Sequence, residues 1–241
     1  MEAWPASVTE PAPGGWLLRA TPGLDRGRSN HALPPCRELD AGEIPEAIAR
    51  VEAFAAAHDI RPGIQVSPLS LHGRLDGELE RRGWGQRWPV LVLAAEHPGA
   101  LGSAAQELEW ADRATPEWLA AWARCEPGRD VEAHARTVFP RLAGQAVFGR
   151  LGDAAVGIAV PGDGLVGLFC VAVQPGRRRA GLGTRIVRAL LAVSSAEVAY
   201  LQVEESNAPA VAMYERLGFT AAYRYRHRTK DGPASVDHLG V

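Results

Sequence analysis

Cysteine is scarce in this chain: among 241 residues only Cys36, Cys125 and Cys170 occur. They are odd in number, far apart and without CxxC or Cys/His ligand spacing, which argues against a disulfide framework and against a zinc site. No metal is therefore expected, and a reducing cytoplasm is the expected compartment. Lysine is scarcer still: of 26 basic residues only Lys230 is a lysine. That bias reads as the codon usage of a GC-rich genome and carries no functional inference. Net charge is nearly absent as well. Against the 26 basic residues stand 28 acidic ones, leaving −2 at pH 7, so no global field draws the chain to nucleic acid or to an anionic membrane. No run of 18 apolar residues occurs, and the opening residues, Met1, Glu2, Trp4 and Pro5, lack a basic stretch followed by an apolar one. Neither a membrane span nor a secretory signal is expected.

What the chain does have is a core. Hydrophobic residues make up 46%, enough for one large domain or two compact halves. The second half alternates helix and strand signals. Thr115 to Cys125 and Asp130 to Leu142 are helical in period, and β-like stretches follow at Gln145 to Arg150 and Ala154 to Val160. Leu165 to Val173 is a near-continuous apolar run, the mark of a central strand covered on both faces. A helix begins at about Leu182, where Leu182, Ile186, Ala189, Leu190 and Val193 recur at helical spacing. Val198 to Glu204 alternates as a strand, Ala208 to Leu217 reads as a helix closed by Gly218, and Thr220 to His227 returns as a strand. The fold class is a mixed α/β sheet flanked by helices.

The chain also resembles itself. Ile64-Gln65-Val66, then Leu75 to Arg82 with Gly83-Trp84, parallels Leu201-Gln202-Val203, then Val211 to Leu217 with Gly218-Phe219. Both read strand, helix, glycine, aromatic, and strand-like segments follow at Pro89 to Ala95 and Ala221 to Arg228. A duplication is the expectation, with halves at 1–96 and 107–241 joined by a polar, glycine-rich linker at 97–106. Chance similarity of a common βαβ unit is the competing explanation.

Chemistry concentrates in Val171-Ala172-Val173-Gln174-Pro175-Gly176-Arg177-Arg178-Arg179-Ala180-Gly181-Leu182-Gly183-Thr184. Gly181 and Gly183 permit a tight turn with unobstructed amides, and the following helix aims its positive end at the same spot, a geometry suited to phosphate. No Lys-Ser/Thr follows the glycines and no GxGxxG spacing is present, so a P-loop and a dinucleotide fold are excluded. A solvated arginine cluster is the plainer alternative.

The order of these parts is what distinguishes it. An apolar strand ending in Val-x-Val-x-Pro, then Arg178-x-x-Gly181-x-Gly183 opening a helix, then a strand ending near Asn207, then Tyr214-Glu215-Arg216-Leu217-Gly218-Phe219, resembles the GNAT superfamily of acetyltransferases over about Leu165 to Arg228. The resemblance implies a mixed, mostly antiparallel sheet flanked by helices, here in tandem with a degenerate first half. It implies acetyl-coenzyme A as cosubstrate, with its pyrophosphate on the amides of Arg178, Arg179, Ala180, Gly181, Leu182, Gly183 and Thr184. The pantetheine arm would lie beside Cys170, Val171, Ala172 and Val173, left accessible where strand Val198 to Glu204 splays away. Tyr214 takes the family position of the general acid to the departing thiolate, with core packing as the alternative. Asn207 takes the position that holds the pantetheine arm, or else simply caps its helix.

One position departs from the family. Some members carry a glutamate base on the central strand where this chain has Gly167. Glu204 and Glu205, at the end of the next strand, could accept a proton directly or through water, or be solvated carboxylates. Cys170, on a buried apolar strand with no sequence-evident activator, reads as packing. The function implied is N-acetyl transfer to a primary amine of a small molecule or peptide, with no nucleic acid or membrane partner and a homodimer left open. A coenzyme A-binding sensor without catalysis is the alternative. A nucleic-acid patch at Arg177 to Arg179 is disfavoured by the net charge and by the lack of interleaved aromatics.

Overall fold

The computed structural model describes residues 4–96, 107–194 and 196–230. The expected linker, 97–106, lies outside the described residues. The strands are β1 (Val8–Ala12), β2 (Trp16–Ala20), β3 (Gly63–Val66), β4 (Gly85–Glu96), β5 (Glu109–Ala111), β6 (Val147–Leu151), β7 (Ala155–Gly162), β8 (Leu165–Val173), β9 (Val198–Glu204) and β10 (Thr220–Thr229). The helices are α1 (Gly27–Asn30), α2 (Glu43–Ala57), α3 (Gly73–Arg81), α4 (Pro116–Cys125), α5 (Val131–Thr137), α6 (Phe139–Leu142), α7 (Leu182–Ala192) and α8 (Ala208–Arg216).

Two compact units result. Among the described residues, one holds Trp4, Pro5 and the residues from Val92 to Ala222; the other holds Ala6–Leu91 and Tyr223 to Lys230. Each therefore includes a strand end from the opposite part of the sequence, since β4 and β10 divide between them. In the first unit the strand order is β4-β9-β8-β7-β6-β5, antiparallel from β5 to β8 and parallel between β8 and β9. In the second the order is β3-β10-β4, with β10 antiparallel to β3 and a separate β1-β2 ribbon.

The first unit covers its sheet on two faces, and neighbouring residues of β6 show which helix lies on which. Phe148 meets Trp118 of α4 edge-on at 5.2 Å, while a Cβ at Gly149 would meet Leu190 of α7. Successive strand residues point to opposite faces, so α4 and α7 lie on opposite sides. Trp118, Trp122 and Phe139 fill the α4 side, and the Trp118 indole donates to the Gly149 carbonyl. Thr115 and Asp130 cap α4 and α5 through their side chains, as Ser/Thr/Asp before a helix should.

Two expectations are corrected. The helical stretch Asp130 to Leu142 is not one helix: α5 ends at Thr137 and α6 restarts at Phe139, because Pro140 has no amide to continue the ladder. The strand expected at Pro89 to Ala95 begins earlier, at Gly85. It passes the proline with Trp88 at φ 40°, a left-handed residue that lets a strand kink past a missing donor.

The second unit packs α2 and α3 on β2, β3 and Trp84. Ile44, Ile48, Val51 and Ala55, one face of α2, are all buried. The internal likeness extends to backbone detail. In α3 the amides of Arg82, Gly83 and Trp84 donate to the carbonyls of Glu78, Glu80 and Leu79. In α8 those of Leu217, Gly218 and Phe219 donate to Met213, Glu215 and Tyr214. Both glycines are left-handed, at φ 77° and 86°. The two helices thus end in the same glycine-closed turn, which sets Leu79 opposite Tyr214.

Candidate active site

β8 is buried along nearly its whole length because its apolar residues face helices on both sides. Near its end it bulges. The β7 register passes from Ile158↔Phe169 to Val156↔Ala172, so Cys170 and Val171 together oppose Gly157, and Cys170 sits at φ 50°. The extra residue reverses the alternation. Phe169 packs on Trp4 at 5.4 Å, on the α4 to α6 side where Trp4 also meets Phe139. Val171 instead approaches the α7 side, where a Cβ on Gly157 would meet it together with Leu190 and Ile186.

β9 runs parallel to β8 over four pairs, from Leu165↔Val198 to Leu168↔Leu201. Among the described residues the register goes no further, although β8 continues to Val173 and β9 to Glu204. The expected splay is present, and it begins beside the bulge.

The loop after β8 makes a single 3-10 turn at Pro175–Arg177. The Arg178 guanidinium then folds back, its Nε donating to the Val173 carbonyl at 3.2 Å. Arg179 is left-handed at φ 68°, and Gly181, the N-cap of α7, at φ 76°. Among the described residues no amide from Arg179 through Thr184 donates to a backbone carbonyl. These donors, on an exposed turn at the positive end of an 11-residue helix, form a concave nest suited to an anion.

The two glycines serve different ends. Gly181 is needed for its dihedral, since a Cβ there would meet nothing within 4 Å. Gly183 instead allows close approach, since a Cβ there would lie 2.7 Å from the sulfur of the flexible Met213 side chain on α8. The expectation that both glycines make the turn is corrected on this point.

α8 begins at Asn207, whose Oδ1 accepts from the Ala210 amide at 3.2 Å. The capping alternative for Asn207 is therefore realised at its oxygen. Tyr214 is buried and rests edge-on against Phe219 at 5.8 Å. Burial pushes its phenol above the ordinary value of 10, so it stays protonated at neutral pH.

Gly167 has no room for a side chain. A Cβ would lie 2.6 Å from the Phe169 ring and 2.8 Å from the Cζ and hydroxyl of Tyr200. The place of a strand glutamate is filled by two aromatic rings, themselves edge to face at 6.3 Å. Sequence reasoning missed Tyr200, Phe169 and Trp4 as parts of this site. Tyr200 was legible as the outward residue of an alternating strand; nothing in the sequence places Trp4 on Phe169. Among the described residues no group of three His, Cys, Asp or Glu side chains could hold a metal. No described helix is long and apolar enough to cross a membrane.

Comparison with known proteins places this fold among the acetyltransferases of the GNAT superfamily. Residues 1–228 match the family described as "Probable histone acetyltransferase Rv0428c C-terminal", and the chain belongs to that family. A 66-residue stretch is 39% identical to an N-alpha-acetyltransferase of Sulfurisphaera tokodaii, covering 26% of this chain and 40% of that protein. A GCN5-related N-acetyltransferase from Kribbella flavida superposes with a TM-score of 0.67 at 20% identity, over 94% of this chain and 90% of its own. Another, from Sphaerobacter thermophilus, reaches 0.61 at 13% identity over 83% and 71%. The chain is thus a member of an acetyltransferase family.

Proposed function

We propose that the protein transfers acetyl from acetyl-coenzyme A to a primary amine of a small molecule or peptide. The observation that carries this reading is the end of the β8–β9 register at Leu168↔Leu201, beside the amide nest at the start of α7. A pantetheine arm adds to β8 where β9 has left it, pairing as an extra strand would, with Cys170 to Val173 alongside. The amides of Arg179 to Thr184 and the side chain of Arg178 hold the pyrophosphate, and the Asn207 amide steadies the arm. Tyr214 donates to the departing sulfur. The names of the family and of the Sulfurisphaera tokodaii relative favour a protein or peptide amine as acceptor. A panel of peptide N-termini, lysyl peptides and small primary amines, assayed for coenzyme A release, tests the reading. Tight acetyl-coenzyme A binding with no turnover on any of them supports the sensor alternative instead.

Gly181→Val is expected to weaken acetyl-coenzyme A binding about tenfold or more by calorimetry. The cost is conformational, because a β-branched residue resists φ 76°. Unchanged affinity in the folded variant removes the nest from the binding site.

The earlier half supplies no second site in this reading. Where Asn207 begins α8, His72 begins α3, and its ring is buried beside the backbone of Pro35 and Ser67. The parallel contact corresponding to β8–β9 shrinks to one bridge, Ala32↔Ile64, and the Arg19 guanidinium spans it by donating to the His31 carbonyl and to Gln65. Leu79 stands in the place of Tyr214. One coenzyme A per chain is expected by native mass spectrometry, and two equivalents would overturn the degenerate reading.

A further inference from the structure

Aminolysis has a requirement that none of the residues above meets. An amine arrives as an ammonium and must lose a proton before it can attack, and Tyr214, kept protonated by burial, cannot take it. The position on the central strand that could have carried a base is Gly167, and the rings of Phe169 and Tyr200 occupy its space.

β9 offers an alternative on the same face. Its residues alternate: Ala199, Leu201 and Val203 are buried, while Val198, Tyr200, Gln202 and Glu204 are half-buried. Tyr200 lies over Gly167 beside Phe169, and Phe169 in turn packs on Trp4 on the α4 to α6 side. Side chains two apart on a strand share a face. Tyr200, Gln202 and Glu204 therefore form a polar row on the α4 to α6 side, from the last paired turn of the β8–β9 register out along the splayed part of β9. α8, which brings Tyr214, packs by Met213 against the first turn of α7 on the other side. The Glu204 carboxylate is steadied at its outer end by the Ser206 hydroxyl at 3.3 Å.

We propose that this row is the path by which the acceptor loses its proton, with Glu204 as terminal proton acceptor and Tyr200 and Gln202 positioning the acceptor and the water between. The proposal rests on the acetyltransferase reading of the same cleft. Glu204 takes one proton from the ammonium through that water and returns it to solvent. The neutral nitrogen then bonds to the acetyl carbon, the carbon–sulfur bond breaks with its electron pair on sulfur, and the second N–H proton balances the thiol formed. Acetyl-coenzyme A and ammonium thus give amide, free thiol and one released proton, with no oxidant or metal required. Gly167 has its own part, since only a residue without a side chain lets the Tyr200 ring lie across β8.

The test compares two acceptors. With a strongly basic primary amine, Glu204→Gln should lower kcat about 100-fold, and Glu204→Asp should recover part of the loss. With hydroxylamine, already neutral at pH 7, the same variant should stay within about threefold of the parent. Acetyl-coenzyme A affinity by calorimetry should be unchanged in both variants. Tyr200→Phe should mainly raise KM for the basic amine. An equal loss on both acceptors, or no loss on either, overturns the proposal. If the unaltered protein acetylates no amine at all, the acetyl-transfer reading fails first and the proposal with it.

Discussion

Tyr214→Phe is expected to lower turnover about 100-fold while leaving acetyl-coenzyme A affinity nearly unchanged. The ring is buried against Phe219, so phenylalanine keeps the packing and only the hydroxyl is lost. Burial raises the phenol pKa above 10, well above that of a thiol near 8.5. Tyr214 is thus a donor at every physiological pH. In the proposed reaction its hydroxyl hydrogen-bonds the sulfur, an interaction that strengthens as thiolate charge builds and so favours the transition state over bound substrate. Single-turnover measurements with chemistry limiting the rate are the check. Parity with the parent protein would make Tyr214 a packing residue whose hydroxyl does nothing.

Acid is expected to destabilise the unit around β3 and β10 through a pair of buried histidines. His31 and His227 share a hydrogen bond between their Nδ1 atoms at 2.7 Å. The pair is wedged between Gly63, where a Cβ would strike the His31 ring, and Gly27, where one would crowd both rings, and the rings of Trp88 and Tyr225 stand edge-on to His227. Burial, with the charges of Arg19 and Arg61 behind it, pushes His31 down to about 3. Burial, then His31, Arg28 and Arg19, push His227 well below 6.5. Both pKa values fall on folding, so the unfolded chain binds more protons and stability rises with pH. Stability should be flat above about pH 6.5 and fall below it by up to about 1.4 kcal/mol per pH unit for each histidine. Denaturant unfolding between pH 7.5 and 5 reads this directly, and His227→Gln should roughly halve the slope. A profile level to pH 5 would show that the pair accepts protons while folded.

Local pattern was sufficient for the frame of the active unit. The apolar run of β8, the alternation of β9 and the glycine-closed end of α8 emerge with the boundaries their residues suggest, because each depends on periodicity and caps within a dozen residues. The likeness of the two glycine-closed helices, which sets Leu79 opposite Tyr214, is legible for the same reason. Proline was misjudged twice: Pro140 breaks a helix whose apolar spacing runs on, and Pro89 is passed by a strand that borrows a left-handed Trp88. The long helix α2 was missed, although Ile44, Ile48, Val51 and Ala55 recur on one helical face.

Other features exist only once distant segments meet. Periodicity tells which face of a strand is buried but not what covers it, and it cannot say where two parallel strands part. The end of the β8–β9 register at Leu168↔Leu201, the Tyr200 ring laid over Gly167, Trp4 packed on Phe169 and the division of β4 and β10 between two units are all of this kind. The residues of the cleft and their order along the chain were written in the amino-acid sequence. Which of them face one another, and why the strand has no room for a glutamate, was decided by long-range pairing and packing, since these energies depend on neighbours that no local stretch of sequence contains.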